Sequence, residues 1–147
     1  MQAVFSLHPA SIADKERLAA LRMEVMEADI KRHAIEPEQL YQRFMEKFDP
    51  GTTYIIKSED QFIGCISIVP GEGGHHLRHF YLKPEWQGSG IGSEILKLIV
   101  EEHRKTDEHL SLAIFKGSAA KTLYERYGFE VVEEDRFVER MKLYFYD

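Results

Sequence analysis

Hydrophobic residues in the first third of the chain recur at helical spacing. Behind a short predicted strand at 3–7, apolar residues return every three or four positions. A second stripe of this kind follows Pro37, a residue suited to the first turn of a helix. Ser11 with Asp14 forms an acidic variant of the capping box before the first stripe. The first stripe comprises Leu18, Leu21, Val25 and Ala28, and the second comprises Leu40, Phe44 and Phe48. We predict one helix for each stripe.

From position 52 onward the pattern changes to the short apolar runs of β-strands. Residues 53–57 and 62–69 flank four polar residues and predict a hairpin, and 75–83 predicts a strand that ends before Pro84. The remaining predicted elements are a helix at 93–105 with Ile91, Ile95, Leu98 and Ile99 on one face, a strand at 110–115, a helix at 118–127, and strands at 129–133 and 137–146. The order β-α-α-β-β-β-α-β-α-β-β predicts a mixed α/β (α+β) fold with about seven strands and about four helices.

Composition places the chain among soluble globular domains. Its 147 residues are 44% hydrophobic and 30% charged, and no repeat or linker divides them, so we predict a single domain over 1–147. The lone Cys65 cannot form an internal disulfide and favours a reducing, cytoplasmic location. No apolar run approaches the ~20 residues of a membrane span, and residues 1–21 lack the pattern of a secretory signal. We therefore expect a cytoplasmic protein that does not insert into membranes.

The charge balance argues against nucleic acid as a partner. Lys and Arg total 19 against 25 Asp and Glu, which gives a formal net charge of -6. A nucleic-acid-binding domain usually has a basic stripe or a basic excess, and this sequence has neither. A cationic or neutral partner is easier to accommodate.

The segment from Leu82 to Gly92 combines the end of a strand, a glycine-rich turn and the start of a helix. Free N–H groups at a helix start, with no side chains in the way, bind phosphate. The segment is not a P-loop, because no lysine follows the last glycine. It is not the dinucleotide fingerprint either, which needs glycine where Ser93 stands. The alternative is a turn whose glycines only allow a strand and a helix to pack closely.

Two motifs lie about thirty residues apart in the second half of the chain. The first is Gln87-x-x-Gly90-x-Gly92 behind a strand that ends Phe80-Tyr81-Leu82-x-Pro84. The second is Ala120-x-x-Leu123-Tyr124-x-x-x-Gly128-Phe129. Both motifs, in this order, resemble those of the GNAT family of N-acetyltransferases. The predicted order of elements is similar to the GNAT fold, a twisted mixed sheet flanked by helices.

This resemblance implies a site for acetyl coenzyme A. In the family the glycine loop holds the pyrophosphate, and main-chain groups of the preceding strand bind the pantetheine arm and polarise the thioester carbonyl. The cofactor-binding candidates are Phe80, Tyr81, Leu82, Gln87, Gly88, Ser89, Gly90, Ile91, Gly92 and Ser93. Gly117 stands where the family commonly has an asparagine that contacts the cofactor, and Ser118 is the candidate to replace part of that contact.

The resemblance also implies two catalytic candidates. Tyr124 occupies the position of the family's tyrosine that protonates the departing thiolate, and its alternative role is core packing. His76 aligns with a glutamate that many members use as the general base, and a neutral histidine accepts a proton at physiological pH. The alternatives are an exposed strand residue with no catalytic role, His79 as the base, or a water relay.

The histidines of this strand do not predict a metal site by themselves. On an extended strand, His75 and His79 lie about 13 Å apart, which is too far for one ion. We therefore predict no metal.

The sequence thus predicts an acetyl coenzyme A-dependent N-acetyltransferase that moves the acetyl group to a primary amine of a small molecule or peptide, by direct attack in a ternary complex. The alternative is a non-catalytic acyl coenzyme A sensor or scaffold of the same fold. Tyr144 and Tyr146 share the outward face of the last predicted strand, which suggests a homodimer or an acceptor-site role, with ordinary surface positions as the alternative.

Overall fold

The computed structural model describes residues 4–146, and its elements follow the predicted alternation. The strands are β1 Ser6–Pro9, β2 Thr53–Ser58, β3 Gln61–Gly71, β4 Gly74–Leu82, β5 His109–Phe115, β6 Glu130–Glu134 and β7 Val138–Tyr144. The helices are α1 Lys15–Val25, α2 Glu27–His33, α3 Pro37–Lys47, α4 Ile91–Arg104 and α5 Lys121–Arg126. Over the described residues these seven strands and five helices confirm the mixed α/β fold. Ala3, in the first predicted strand, lies outside the described residues.

Hydrogen-bonded strands follow the order β1-β2-β3-β4-β5-β7-β6. Strands β4 and β5 pair in parallel, whereas the pairs β1–β2, β2–β3, β5–β7 and β6–β7 are antiparallel. Contacts within the chain define two compact units. The first contains the described residues up to Ser67 together with His79–Ile91, and the second contains Ile68–Arg78 together with the described residues from Gly92 onward.

The first unit places α1 and α3 over the β2–β3 hairpin. The buried side chains of its core are Leu18, Ala19, Leu21, Phe44, Ile55, Cys65 and Tyr81. Pro37 begins α3 as predicted, and both Leu40 and Phe44 of its stripe are buried. Gly64 lets β3 approach the end of β4, since an added Cβ would lie 2.1 Å from the carbonyl oxygen of Tyr81.

The predicted first helix is in fact two helices. Met26 leaves helical geometry, with φ −89° and ψ 3°, and α2 begins at Glu27. The phase of the apolar stripe is lost at this break, so Ala28 is exposed and Asp29 is buried beside Arg32. Ser11 and Asp14 do act as the capping pair, because the Asp14 carboxylate accepts a 2.8 Å hydrogen bond from the Ser11 backbone N–H.

The second unit is built around β5. The parallel register joins Gly74–Leu77 of β4 to His109–Leu112 of β5, and β7 pairs with the other edge of β5. The buried side chains of these strands and of α4 include Leu77, Leu110, Leu112, Met141, Leu143, Ile95, Leu96, Ile99 and Val100.

The prediction that Leu98 lies on the apolar face of α4 is wrong. Leu98 is 45% exposed, because it lies two residues, or about 200° around the helix, from both Leu96 and Val100.

The two tyrosines near the end of the described chain point outward, as the alternation predicts. Tyr144 and Tyr146 are 38% and 83% exposed, and their rings stack with centroids 5.9 Å apart, while Met141 and Leu143 are buried. The homodimer stays a prediction. Among the helices of residues 4–146, none is both long and apolar enough to cross a membrane.

Candidate active site

The glycine turn before α4 has a backbone that only glycine adopts easily. Gly88 and Gly90 have φ values of +76° and +89°, in the left-handed region. A Cβ built on either residue would meet no atom within 4 Å, so open space faces the turn. Helix α4 begins directly behind it at Ile91. A strand–turn–helix with exposed glycine backbone and a long helix behind it fits a pyrophosphate.

Side chains of the same segment hold the turn in shape. Gln87 Nε2 donates a 3.0 Å hydrogen bond to the carbonyl of Leu82, and Ser89 Oγ donates a 2.7 Å bond to the carbonyl of Trp86. The Ile91 side chain is 1% exposed and belongs to the core. The side chains of these three residues therefore shape the loop, and binding of the cofactor by this segment stays a prediction.

The first turn of α4 is also tied to the end of α5. The hydroxyl of Tyr127 donates a 3.0 Å hydrogen bond to the Ser93 carbonyl and lies 2.7 Å from Ser93 Oγ. Ser93 is a predicted cofactor residue, whereas no sequence motif pointed to Tyr127. Their separation of 34 positions gives no local signal for this contact.

The three strand candidates lie beyond the parallel register of β4 and β5, whose last pair is Leu77 with Leu112. The side chains of Tyr81 and Leu82 are buried, and the Arg22 guanidinium donates to the Tyr81 hydroxyl. Directly after Leu82, the Lys83 N–H donates a 2.8 Å bond to the Ile63 carbonyl. The core role of the Tyr81 and Leu82 side chains is confirmed, and the main-chain role of Phe80, Tyr81 and Leu82 stays a prediction.

The backbone at Gly117, before α5, suits both glycine and the asparagine that is common in the family. Gly117 has φ +84°, a conformation that asparagine and glycine tolerate better than other residues. Ser118 Oγ accepts a 3.2 Å hydrogen bond from the Ala120 N–H. The Ser118 hydroxyl thus helps to begin α5, and its contact with a cofactor stays a prediction.

Tyr124 lies in the core of the second unit. Its side chain is 6% exposed, and its ring makes an edge-on contact with Phe129 at a centroid distance of 5.7 Å. The Phe129 N–H also donates to the Tyr124 carbonyl at 3.1 Å. Packing, the alternative role, is therefore present, and proton donation by the phenol stays a prediction.

His76 faces a cavity of about 380 Å³ in the second unit. The cavity is lined by His76, Ser111, Leu112, Val132, Glu133, Arg140, Met141 and Lys142. His76 Nδ1 lies 2.8 Å from Ser111 Oγ, which fixes the ring plane. Burial, together with the positive charges of Arg140 and Arg78, lowers the pKa of His76. The histidine is therefore neutral at physiological pH and has the protonation state of a base.

Arg78 of β4 is a further polar residue near His76, and no sequence motif pointed to it. It lies two residues along β4 from His76 and hence on the same face of the strand. Its Nε and Nη2 atoms are buried and have no hydrogen-bond partner among the described residues. Buried guanidinium donors are normally paired, so this face of β4 has unused capacity for an acceptor atom.

His79, the other candidate base, has an aromatic environment. Its ring lies 5.1 Å from that of Phe44 and 5.5 Å from that of Tyr81, measured between centroids. These contacts place it beside the core of the first unit. Packing is therefore one role of His79, and its role as a base stays a prediction.

Comparison with known proteins identifies the family. A family model for an acetyltransferase (GNAT) domain matches residues 15–144. The uncharacterized N-acetyltransferase YafP of Escherichia coli K12 is 23% identical over 130 residues, which are 84% of this chain and 79% of that protein. The PaiA N-acetyltransferase of Thermoplasma acidophilum, solved in complex with coenzyme A, matches with a TM-score of 0.75 and 19% identity, over 97% of this chain and 99% of that one. The ribosomal-protein-S18-alanine N-acetyltransferase of Escherichia coli matches with a TM-score of 0.65 and 17% identity, over 98% and 96% of the two chains.

Because the family model covers most of the sequence, the chain belongs to the GNAT acetyltransferase family and is an N-acetyltransferase. The resemblance seen in the two sequence motifs is thereby confirmed. At these identities the solved structures establish the fold.

Proposed function

We propose that the protein transfers the acetyl group of acetyl coenzyme A to a primary amine of a small molecule or peptide, by direct attack in a ternary complex. The observation that carries the proposal is the turn at Gly88 and Gly90, whose left-handed glycines face open space immediately before a 14-residue helix. Backbone N–H groups at such a helix start favour the pyrophosphate of the coenzyme. The PaiA structure, determined with coenzyme A, lends support through the shared fold.

Direct transfer is favoured over a thiol acyl-enzyme because the chain's single cysteine is unsuited to attack a thioester. Cys65 is 1% exposed, and burial raises the pKa of its thiol to about 12. A thiol in that state carries almost no thiolate at neutral pH. The amine itself is therefore the nucleophile in our proposal.

In this mechanism His76 is the general base. When Nδ1 carries the ring proton and donates to Ser111, Nε2 keeps its lone pair and takes the proton that the attacking amine loses. Attack on the thioester carbonyl gives a tetrahedral oxyanion, for which we assign main-chain N–H groups of Phe80 to Leu82 as stabilising donors. Collapse of this intermediate breaks the carbon–sulfur bond, and the Tyr124 hydroxyl protonates the departing thiolate.

The cofactor assignment is tested at Ser89, an exposed residue between the two left-handed glycines. Ser89→Glu places a negative charge beside the predicted pyrophosphate, whereas Ser89→Gln changes size and loses the same hydrogen bond without adding charge. Calorimetric titration with acetyl coenzyme A should show an affinity at least about ten-fold lower for the glutamate variant than for the glutamine variant. Equal affinities in two folded variants would contradict binding at this turn.

The alternative from the sequence, an acyl coenzyme A sensor without catalysis, is disfavoured by membership of an acetyltransferase family. Thiol release from acetyl coenzyme A distinguishes the two functions when it is measured with polyamines, aminoglycosides, amino acids and peptides. Amine-dependent release supports the enzyme. Tight binding of acetyl coenzyme A without release for any amine class would support the sensor.

A further inference from the structure

Three metal-binding side chains meet in the second unit, away from the residues assigned above to the cofactor. His75 lies near the start of β4, His103 lies in the last turn of α4, and Asp107 lies between α4 and β5. One potential ligand atom from each residue lies within 4.8 Å of the other two. All three residues are partly buried, so the cluster is not an ordinary group of exposed charges.

The orientation of His103 suits a ligand. Its Nδ1 lies 2.9 Å from the carbonyl oxygen of Ile99, an acceptor that requires Nδ1 to carry the proton. In the neutral ring with this tautomer, Nε2 carries the lone pair that can bind a metal ion. Histidines that bind metals typically donate their other ring N–H to such a carbonyl, which fixes both the tautomer and the ring plane.

His75 and Asp107 already lie at nearly the distance of two ligands of one ion. His75 Nδ1 is 2.8 Å from Asp107 Oδ2, and the His75 and His103 rings are 4.6 Å apart between centroids. In a tetrahedral zinc site with bonds of about 2.0 to 2.1 Å, neighbouring ligand atoms are about 3.3 Å apart. Binding of an ion would require these two atoms to separate by about half an ångström and the ligand atom of His103, which lies within 4.8 Å of both residues, to approach that spacing as well.

The Asp107 side chain is held in place by its neighbours. Thr106 Oγ1 donates a 3.0 Å bond to Oδ1, which leaves Oδ2 as the atom facing His75. The Asp107 side chain is also only 6% exposed, so its orientation is restricted.

We propose that His75, His103 and Asp107 bind a divalent transition-metal ion, with Zn²⁺ as the best match and water as the fourth ligand. Two imidazoles and one carboxylate favour zinc over magnesium or calcium, which prefer all-oxygen sites. The ion joins the start of β4 to the end of α4 and the segment before β5. None of the three residues is among those assigned above to cofactor binding or catalysis.

The sequence-based prediction of no metal considered His75 with His79 along one strand. In the fold, the neighbours of His75 are instead His103 and Asp107, which lie 28 and 32 positions later in the chain. The spacing His103-x-x-x-Asp107 is their only local signal in the sequence.

The test is titration of the tag-free, EDTA-treated protein with Zn²⁺, followed by calorimetry, and with Co²⁺, followed by visible absorption. We expect one ion per chain with micromolar or tighter affinity, a tetrahedral Co²⁺ spectrum, and a higher melting temperature with Zn²⁺. His103→Gln and Asp107→Asn should each weaken binding by at least about ten-fold.

His109→Gln is the matched control, since His109 begins β5 next to the cluster and is not one of the three ligands. It should bind Zn²⁺ like the wild type. Circular dichroism of each metal-free variant identifies any that fails to fold, and two ligand variants at different positions keep the result interpretable. Absence of stoichiometric binding to the wild type, or unchanged binding in both folded ligand variants, would overturn the proposal. An equal loss in His109→Gln would overturn it as well.

Discussion

The glycine turn and the cavity at His76 are constructed in opposite ways. In the turn, Gln87 bonds to a residue five positions earlier and Ser89 to one three positions earlier. At His76 the hydrogen-bond partner Ser111 is 35 positions away, and Arg140 comes from β7. One region is a continuous segment, and the other is assembled by strand pairing.

This difference determines how much of each region can be predicted from the sequence. The conformation of a continuous segment is indicated by the types of its neighbouring residues. Gly88 and Gly90, whose φ values are left-handed, are an example. The residues of an assembled site come from separate strands and share no local sequence pattern. His76 is therefore recognisable as a candidate, whereas Ser111 and Arg140 are not. We therefore expect mutations in the turn to agree with the sequence-based roles more often than mutations at the cavity.

The largest expected effect concerns the cavity. His76→Gln keeps a polar side chain of similar length but removes the base, so kcat should fall by about a hundred-fold or more while acetyl coenzyme A affinity is unchanged. Steady-state kinetics with a saturating acceptor measure the first quantity, and calorimetry measures the second. His79→Gln is the matched control because His79 is the other candidate base of the same strand. Near-normal kcat in His76→Gln together with a large loss in His79→Gln would transfer the role to His79.

The elements show how far periodicity carries. Pro37 and its stripe predicted α3 correctly because an amphipathic helix buries one face. The break at Met26 was missed because no glycine or proline marks it, and Ala28 was consequently misplaced. Leu98 was misplaced because periodicity alone does not fix which of two overlapping faces is buried.

The sites follow the same division. The two family motifs identified the turn and Tyr124, since each motif is contiguous in the sequence. The guanidinium of Arg78 is buried, and Asp107 approaches His75, because of the way in which the strands pair. Neither feature is indicated by the residue types alone. Prediction from the sequence therefore located the glycine turn and only single members of the two assembled clusters.

An intermediate effect is expected at Tyr124. Tyr124→Phe removes the proposed proton donor and preserves the ring contact with Phe129, so the fold is retained. We expect kcat to fall by roughly ten-fold or more with little change in acetyl coenzyme A affinity. The drop should shrink when the leaving thiol is a more acidic one, because a stable thiolate needs less protonation. Wild-type kcat with both thioesters would assign Tyr124 to packing alone.

The smallest expected effect is at the one place where the turn region depends on a distant residue. The Tyr127 hydroxyl holds the first turn of α4 through Ser93, 34 positions away, and a typical hydrogen bond contributes about 0.5 to 1.5 kcal/mol. Tyr127→Phe should therefore weaken acetyl coenzyme A binding by about two- to ten-fold, measured by calorimetry, with kcat nearly unchanged. Tyr146→Phe makes the same chemical change at a residue that is 83% exposed, and it should leave binding at the wild-type value. If Tyr127→Phe binds as tightly as this control, the turn is set by its own glycines and local hydrogen bonds, and the distant contact only joins two helices.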